Sequence, residues 1–447
     1  MIREFAQNII IKTTQHSYGS EYIEMKGADN EDKLLRFQET NLQNLLQHAY
    51  RHVPYYHRLL REIKMVNNGF VDLSRFTEIP ILTKELIRKH HQELISKDYT
   101  TRKWYYNSSG GSTGEPIRFI QDDSYRKWGN ATFYYYYNNI LGIDELNARK
   151  IILWGSERDL FQGGMGWIDK IVNRSNNTLF LNSFRMTEED KKKYIECINA
   201  YKPELIRGYA GSLYELCKYA ERNKLIIYAP KTLISSAETL SYEMRKKIEK
   251  IFGIPVHDYY GSRETNNLAG ECDKGLMHIL EFHNHIEIIN DQNLPAKEGE
   301  EGRVIVTNLH NYSMPFIRYE IGDLAELGPK KCKCGNMLPT LKKITGRITD
   351  HFIKEDGTII HGEYFTHLFY LKDWVRRFQV IQEDYNKIKI LIILKTEPNE
   401  LEIRDIEKKI KLIMGQCCAI NMEFVEEIPL TKNGKYLYTK SLVRWRI

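Results

Sequence analysis

Between Ile151 and Tyr260 the chain alternates short β-rich runs with amphipathic helical stretches. The runs are Ile151 to Trp154, Thr178 to Leu181, Glu204 to Tyr209, Thr232 to Ser235 and Pro255 to Tyr260. In one of the intervening stretches, Ser212 to Asn223, the apolar residues Leu213, Leu216, Cys217 and Ala220 recur at helical spacing. Alternation of this kind predicts an α/β fold, a parallel sheet with crossover helices. From Met277 to Val306 the period shortens to two. His285 to Ile289 and Arg303 to Thr307, separated by Pro295, Gly299 and Gly302, predict antiparallel strands of a smaller sheet or barrel. Upstream, residues to about Lys103 read as mostly helical, with Leu34, Phe37, Leu42, Leu45 and Leu46 on one face. Composition shifts after Gly346-Arg347. Beyond it, Phe378 to Ile381, Lys387 to Leu394, a helix near Ile403 to Met414 and a strand Met422 to Glu426 predict a compact α+β domain of ~95 residues. The expected division is a large domain over 1–346, with parts 1–103, 104–265 and 266–346, and a small domain over 347–447.

Composition adds exclusions. At 447 residues, 42% apolar and 28% charged, the chain reads as globular with more than one core. No apolar run approaches the ~20 residues that span a bilayer. The run Ile388 to Leu394 is broken by Lys389, and Ile9-Ile10-Ile11 is followed by Lys12 with no small-residue cleavage site, so a cytoplasmic protein is expected. Net charge is +6 from 65 basic and 59 acidic residues without a basic block, which disfavours nucleic acid as a partner. Lys191-Lys192-Lys193 follows Thr187-Glu188-Glu189-Asp190, the pattern of a capping box opening a solvated helix. The tract Tyr134 to Tyr137 lacks the basic interleaving of a base-stacking surface and is expected on a buried or pocket-lining helix face.

Two clusters carry chemistry. Asn107-Ser108-Ser109-Gly110-Gly111-Ser112-Thr113-Gly114-Glu115-Pro116 combines glycines, whose backbone N-H groups are unobstructed, with hydroxyls that can meet phosphate oxygens and Mg²⁺. Glu115 stands where a P-loop needs lysine, so a nucleotide-wrapping loop of another kind and a plain flexible connector are the two readings. The second cluster lies among seven cysteines, an odd number that fits a reducing compartment. Cys272 and His278, then Cys332 and Cys334, match the ligand types and number of a closed tetrahedral zinc site, the alternative being ordinary buried thiols. Cys197, Cys217, Cys417 and Cys418 read as core or incidental residues.

Further motifs follow the glycine-rich loop in order: Tyr259-Tyr260-Gly261-Ser262-Arg263-Glu264, Arg318-Tyr319-Glu320-Ile321-Gly322-Asp323, Gly346-Arg347 and Pro429-Leu430-Thr431-Lys432-Asn433-Gly434-Lys435. From about Trp104 to Tyr436 this set resembles the adenylate-forming superfamily of acyl-CoA synthetases, in the branch of phenylacetate-CoA ligase and the CapK-like proteins of capsular polysaccharide clusters. The resemblance implies an N-terminal adenylation domain and a mobile C-terminal lid. It implies that Ser108, Ser109, Gly110, Gly111, Ser112, Thr113 and Gly114 wrap the phosphates of ATP, and that Thr113 and Glu264 hold Mg²⁺. Asp258, Tyr259, Tyr260, Gly261 and Ser262 would border the adenine, with one of the two tyrosines packed on it, and Ser236-Ala237-Glu238 would line the nucleotide and acyl pocket. Asp323 would accept from the ribose hydroxyls, and Arg347 would pair with ribose or phosphate. Lys435 would stabilise the charge that carboxylate and α-phosphate bring together. Tyr136, Gly208, Tyr209, Ala210 and Ser235 would face the acid, and Cys272, His278, Cys332 and Cys334 would hold a structural zinc ion.

The activity so implied is ATP-dependent adenylation of a small carboxylic acid, aryl or related, followed by transfer to coenzyme A. Transfer to an amine or hydroxyl acceptor in polysaccharide or natural-product assembly is the alternative acceptor chemistry, and a catalytically silent, zinc-stabilised nucleotide-binding protein is the rival from another class. A homodimer is implied by the branch. The sequence departs from the family pattern at Thr349, where Asp or Lys is usual with Asp350 next here, and at Ser112, where a second threonine is common.

Overall fold

A computed structural model describes residues 19–109, 117–155, 177–290, 292–345, 351–369, 372–428 and 437–443. Ile9 to Ile11, Gly110 to Pro116, Gly346 to Asp350 with Arg347 and Thr349, and Pro429 to Lys435 lie outside the described residues. The chain begins with helices Gly19–Gly27, Glu31–His52 and Pro54–Glu62, then a small hairpin of β1 (Val66–Asn67) and β2 (Phe70–Val71), then helices Lys84–Lys89 and His91–Leu94. A second hairpin, β3 (Trp104–Ser108) and β4 (Arg118–Asp122), leads into helix Asp123–Tyr135. The α/β stretch contains β5 (Lys150–Trp154), β6 (Thr178–Asn182), β7 (Arg185–Met186), β8 (Leu205–Tyr209) and β9 (Thr232–Ser236). Next come β10 (Val256–Ser262), β11 (Asn266–Glu271), β12 (Met277–Ile279), β13 (Asn284–Ile289), β14 (Glu301–Asn308), β15 (Tyr319–Leu327) and β16 (Thr340–Thr345). The last part holds β17 (His351–Ile353), β18 (Ile359–His361), β19 (Val375–Asp384), β20 (Lys387–Leu394), β21 (Ala419–Phe424) and β22 (Thr439–Ser441). The described residues form two compact units, one drawn from 1–108, 117–145 and 257–346, the other from 109–116, 146–256 and 347–447.

In the first unit seven strands pair antiparallel in the order β13-β14-β15-β16-β12-β11-β10. The period-two pattern has this origin, since one strand face must meet the core: Ile286 and Ile288 on β13 and Val304 and Val306 on β14 are buried. The long helix Glu31–His52 contributes Leu42, Leu45 and Leu46 to the same core and is capped by Asn30, whose side chain accepts from the Lys33 N-H at 3.0 Å. Strand β10, expected to close the parallel set, is paired antiparallel with β11 in this unit.

In the second unit β9, β8, β5 and β6 are parallel neighbours, as the alternating pattern predicts. Ile151, Leu153, Ile206 and Leu233 pack on Leu213, Leu216, Cys217 and Ala220 of helix Ala210–Arg222. The 347–447 part builds a sheet in the order β21-β20-β19-β22 with helices Gly362–Phe369 and Glu400–Met414. Its β17-β18 hairpin gains a third strand, β7, through Ile359↔Met186 and Ile360↔Arg185. The capping box is present: Thr187 Oγ1 accepts from Asp190 N, and Asp190 Oδ2 accepts from Thr187 N, each at 3.0 Å. The expectation of a fully solvated helix face needs correction, because Lys191 is buried. Its ammonium meets Glu188 at 2.5 Å and donates to the Gly357 carbonyl at 3.3 Å, so a short basic run was split by one tertiary contact. No helix of the described residues is long and apolar enough to cross a membrane.

Candidate functional site

The first unit gathers Asp258, Tyr259, Tyr260, Gly261, Ser262, Glu264 and Asp323. Along β10 side chains alternate between faces, which separates the two tyrosines. Tyr259 is buried against Tyr136 and Phe133, with ring centroids 4.9 and 5.6 Å away. Tyr260 turns the other way and donates its hydroxyl to Asp323 Oδ2 at 2.8 Å. Asp323 is aimed by an irregularity in β15: Arg303 pairs with Leu324 and Ile305 with Glu320, so three residues of β15 oppose one of β14. Gly322 within that bulge has φ +94°, a backbone conformation that a side chain would strain.

Glu264 follows β10 in the turn to β11. It is buried, and its carboxylate Oε1 accepts from the Tyr319 hydroxyl at 3.3 Å and lies 4.0 Å from Lys84 Nζ. The turn is fixed by Ser262 Oγ, which accepts from Thr265 N at 3.1 Å, and by Gln121 Nε2, which donates to the Arg263 carbonyl at 2.9 Å. Three strands separate β10 from β15 in the sheet order, yet two side-chain rungs join them, Tyr260 to Asp323 and Tyr319 to Glu264. Lys84 was not singled out from the sequence, and Tyr319 entered only within the Arg318 to Asp323 motif, without a role of its own. The one local signal was Thr83 ahead of the helix, where its hydroxyl accepts from Leu86 N at 3.3 Å.

Ser108 ends β3 and its N-H donates to its neighbour's Asn107 Oδ1 at 2.8 Å, while Ser109 is fully buried. Gly110, Gly111, Ser112, Thr113, Gly114, Arg347 and Lys435 lie outside the described residues. Tyr136 sits in the interior: its hydroxyl donates to the Glu271 carbonyl at 2.8 Å, and its ring occupies the space that a Cβ on Gly270 would need.

The second unit gathers Gly208, Tyr209, Ala210, Ser235, Ser236, Ala237 and Glu238, at the carboxyl ends of β8 and β9 where open parallel sheets bind ligands. Glu238 Oε2 accepts from the Gly211 N-H at 2.8 Å, placing a carboxylate at the N-terminus of helix Ala210–Arg222 and tying the two segments together. Between them Ala237 holds φ +67°, unusual for a residue with a Cβ. Tyr209 stacks on Trp154 at 4.3 Å and belongs to a core that includes Phe184, Phe352 and Tyr364.

The sulfur ligands converge in the first unit. Cys272 follows β11, His278 is on β12, and Cys332 and Cys334 lie in the connection from β15 to β16; because β12 pairs with both β11 and β16, residues sixty apart meet. Their ligand atoms all lie within 4.8 Å of one another. Cys272 Sγ is 3.6 Å from Cys332 Sγ, and His278 Nε2 is 3.1 Å from Cys334 Sγ. His278 Nδ1 lies 2.9 Å from the Leu338 carbonyl, which can only accept, so Nδ1 carries the proton and Nε2 presents its lone pair to the sulfurs. Backbone N-H groups of Lys274, Cys334 and Asn336 point at Cys272, Cys332 and Cys334 sulfurs at 3.4, 3.5 and 3.4 Å. Burial pushes the Cys272 thiol up, but its interaction with the His278 imidazole and hydrogen bonds from backbone N-H groups outweigh it and bring Cys272 down to about 6. Four donors of this type in this spacing fit a divalent ion of zinc's preferences.

A family model, the CapK C-terminal domain, matches residues 352–441. Protein CapK of Staphylococcus aureus is 24% identical over 93% of this chain and 90% of its own length. A phenylacetate-coenzyme A ligase of Thermus thermophilus is 26% identical over 78% of each chain. Among solved structures, 2-hydroxyisobutyryl-CoA ligase in complex with 2-HIB-AMP and CoA in the thioesterification state is similar in fold, with TM-score 0.58, 16% identity, and coverage of 92% of this chain and 90% of that one.

Proposed function

Because the chain belongs to the adenylate-forming superfamily, in its CapK-like and phenylacetate-CoA ligase-like branch, and is a ligase of that type, we propose that it activates a small carboxylic acid with ATP and passes the acyl group to coenzyme A. In the first half-reaction a carboxylate oxygen attacks the α-phosphorus, the bond to the bridging oxygen breaks, and pyrophosphate leaves. In the second, the sulfur of the acceptor attacks the acyl carbonyl, AMP departs with the bonding pair, and the thiol proton passes to solvent.

The observation that carries this reading is the double bridge from β10 to β15. It holds Asp323 and Glu264, two carboxylates with different tasks, on one rigid frame. Asp323, oriented by the Tyr260 hydroxyl, has the acceptor oxygens that a ribose diol requires. Tyr260 supplies the aromatic body beside it for adenine, and Ser108 with the hydroxyl-rich loop that follows supplies donors for phosphate. Glu264, with Thr113, would hold Mg²⁺, which when bound offsets the charge of the triphosphate; a buried carboxylate is the oxygen ligand this hard cation prefers. Lys435 meets the charge that develops between carboxylate and α-phosphate. The acid is assigned to Gly208, Tyr209, Ala210 and Ser235, which lie together at the carboxyl ends of β8 and β9. Cys272, His278, Cys332 and Cys334 would hold zinc in a structural role, since four protein ligands fill its tetrahedral shell.

The CapK-like side of the resemblance keeps a second acceptor chemistry as the alternative, in which an amine or hydroxyl takes the acyl group. One experiment separates the two: mass spectrometry of products from ATP, Mg²⁺ and a panel of aryl and aliphatic acids, with coenzyme A or with amino sugars and amino acids. An acyl-adenylate consumed by coenzyme A alone supports the thioester reading. An adenylate that accumulates with coenzyme A and disappears with an amine or hydroxyl supports the second, and formation of ADP contradicts both.

A further inference from the structure

The glycine-rich loop has no lysine in the place where a P-loop carries one, and the functional reading above assigns no cationic side chain to the neighbourhood of Glu264. The structure brings one there from 180 residues upstream. Lys84 opens the helix Lys84–Lys89, and its side chain is only 6% exposed, facing the 4% exposed side chain of Glu264 with Nζ 4.0 Å from Oε1.

Its position is set by the backbone. Leu82 lies beside Tyr319 as a one-residue extension of the sheet: its N-H donates to the Arg318 carbonyl at 2.9 Å, and its carbonyl accepts from Glu320 N at 3.0 Å. Thr83 then caps the helix, so the first helical residue is fixed in direction as well as place. Strand β15 thus holds Lys84 through its backbone and reaches Glu264 through the Tyr319 hydroxyl, both directed at Oε1. A long ammonium side chain is rarely buried without a charge partner, because removing it from water is costly. A pair of this kind is weak evidence for stability, since apolar residues of the same size often replace it without loss. A positioning task explains better why the chain keeps it.

The geometry points to Lys84 as a positioning residue that, together with Tyr319, fixes one oxygen of Glu264 so that the carboxylate meets the Mg²⁺ of the nucleotide in a set orientation. This deepens the reading of Glu264 as a magnesium ligand and rests on it. Partners that orient a metal-binding side chain are typically worth about 10–100-fold in metal affinity or activity.

The test is calorimetric and needs no turnover: the affinity of the full chain for α,β-methylene-ATP is measured with and without Mg²⁺. In Lys84→Met the gain in affinity on adding Mg²⁺ falls by about tenfold or more, while affinity in its absence changes by less than about twofold. Lys84→Arg, which retains the charge, stays within about threefold of the wild type. A wild-type Mg²⁺ gain in Lys84→Met overturns the proposal, as does a larger gain, which would show that the ammonium only repels the ion. Should Lys84→Met fail to fold, Lys84→Met/Glu264→Gln, which leaves no lone buried charge, is compared with Glu264→Gln. Equal Mg²⁺ dependence of these two supports action through Glu264, and a further loss in the double variant overturns it. If Glu264→Gln itself keeps the wild-type gain, the magnesium reading of Glu264 fails and the proposal with it; if Glu264→Gln loses the gain and Lys84→Met does not, the proposal alone fails.

Discussion

The hydroxyl of Tyr260 donates to Asp323 across 2.8 Å, joining two motifs sixty-three residues apart in the sequence. The bond links the adenine-side tyrosine to the carboxylate proposed for the ribose. Tyr260→Phe keeps the ring and removes the donor. A hydrogen bond to a charged group contributes about 1.5–3 kcal/mol, so the expected effect is a fall of about tenfold or more in kcat/KM for ATP. The KM for the acid stays near its original value. Steady-state kinetics with each substrate varied in turn check this, and equal losses for both substrates would place Tyr260 elsewhere.

The thiol and imidazole cluster yields a prediction about metal content. The purified chain is expected to carry one zinc ion, measured by plasma mass spectrometry, and Cys272→Ser or Cys334→Ser to lose it. Bound metal contributes to folding free energy, so the melting temperature of either variant falls by at least about 5 °C. Cys217→Ala, a thiol in the apolar core of the second unit, retains the metal.

A pH effect is expected at Glu281. Burial raises its carboxyl to about 7, and the hydrogen bond of Gln38 only partly opposes this. With the folded value above the unfolded one, the folded chain binds more protons between about pH 4.5 and 7, and stability declines as pH rises through that window. Glu281→Gln removes the decline. Its melting temperature relative to the wild type therefore increases from pH 5 to pH 8, by an amount corresponding to about 2 kcal/mol. A constant difference across this range would contradict the assignment.

The sequence carried most of the strand pattern because local periodicity reports which face is buried. Ile151 to Trp154 and Thr232 to Ser235 each lie within a strand only a residue longer, Lys150–Trp154 and Thr232–Ser236. The strand expected at Met422 to Glu426 lies three residues earlier at its start and two earlier at its end, over Ala419–Phe424, where pairing with β20 overrides local preference. The four zinc-type ligands were legible from residue type, and their meeting depends on β12 pairing with β16. What stayed hidden was tertiary. Nothing near Lys84 announces a partner at Glu264, Lys191 reads as one of three surface lysines, and two-residue β7 is too short to show a period. Glu238 was expected at the pocket, and its bond to the N-H of Gly211 could not be read from spacing because the helix start that it meets is 27 residues away.

The central claim is adenylation, and pyrophosphate release by the wild type and by Lys435→Ala, over a panel of acids with Mg²⁺ and ATP, tests it most directly. Release that depends on a particular acid, with AMP as the nucleotide product and a fall of about 10²–10³-fold in the variant, is the expected result. Release of ADP, or acid-dependent pyrophosphate release that Lys435→Ala leaves unchanged, would contradict the account.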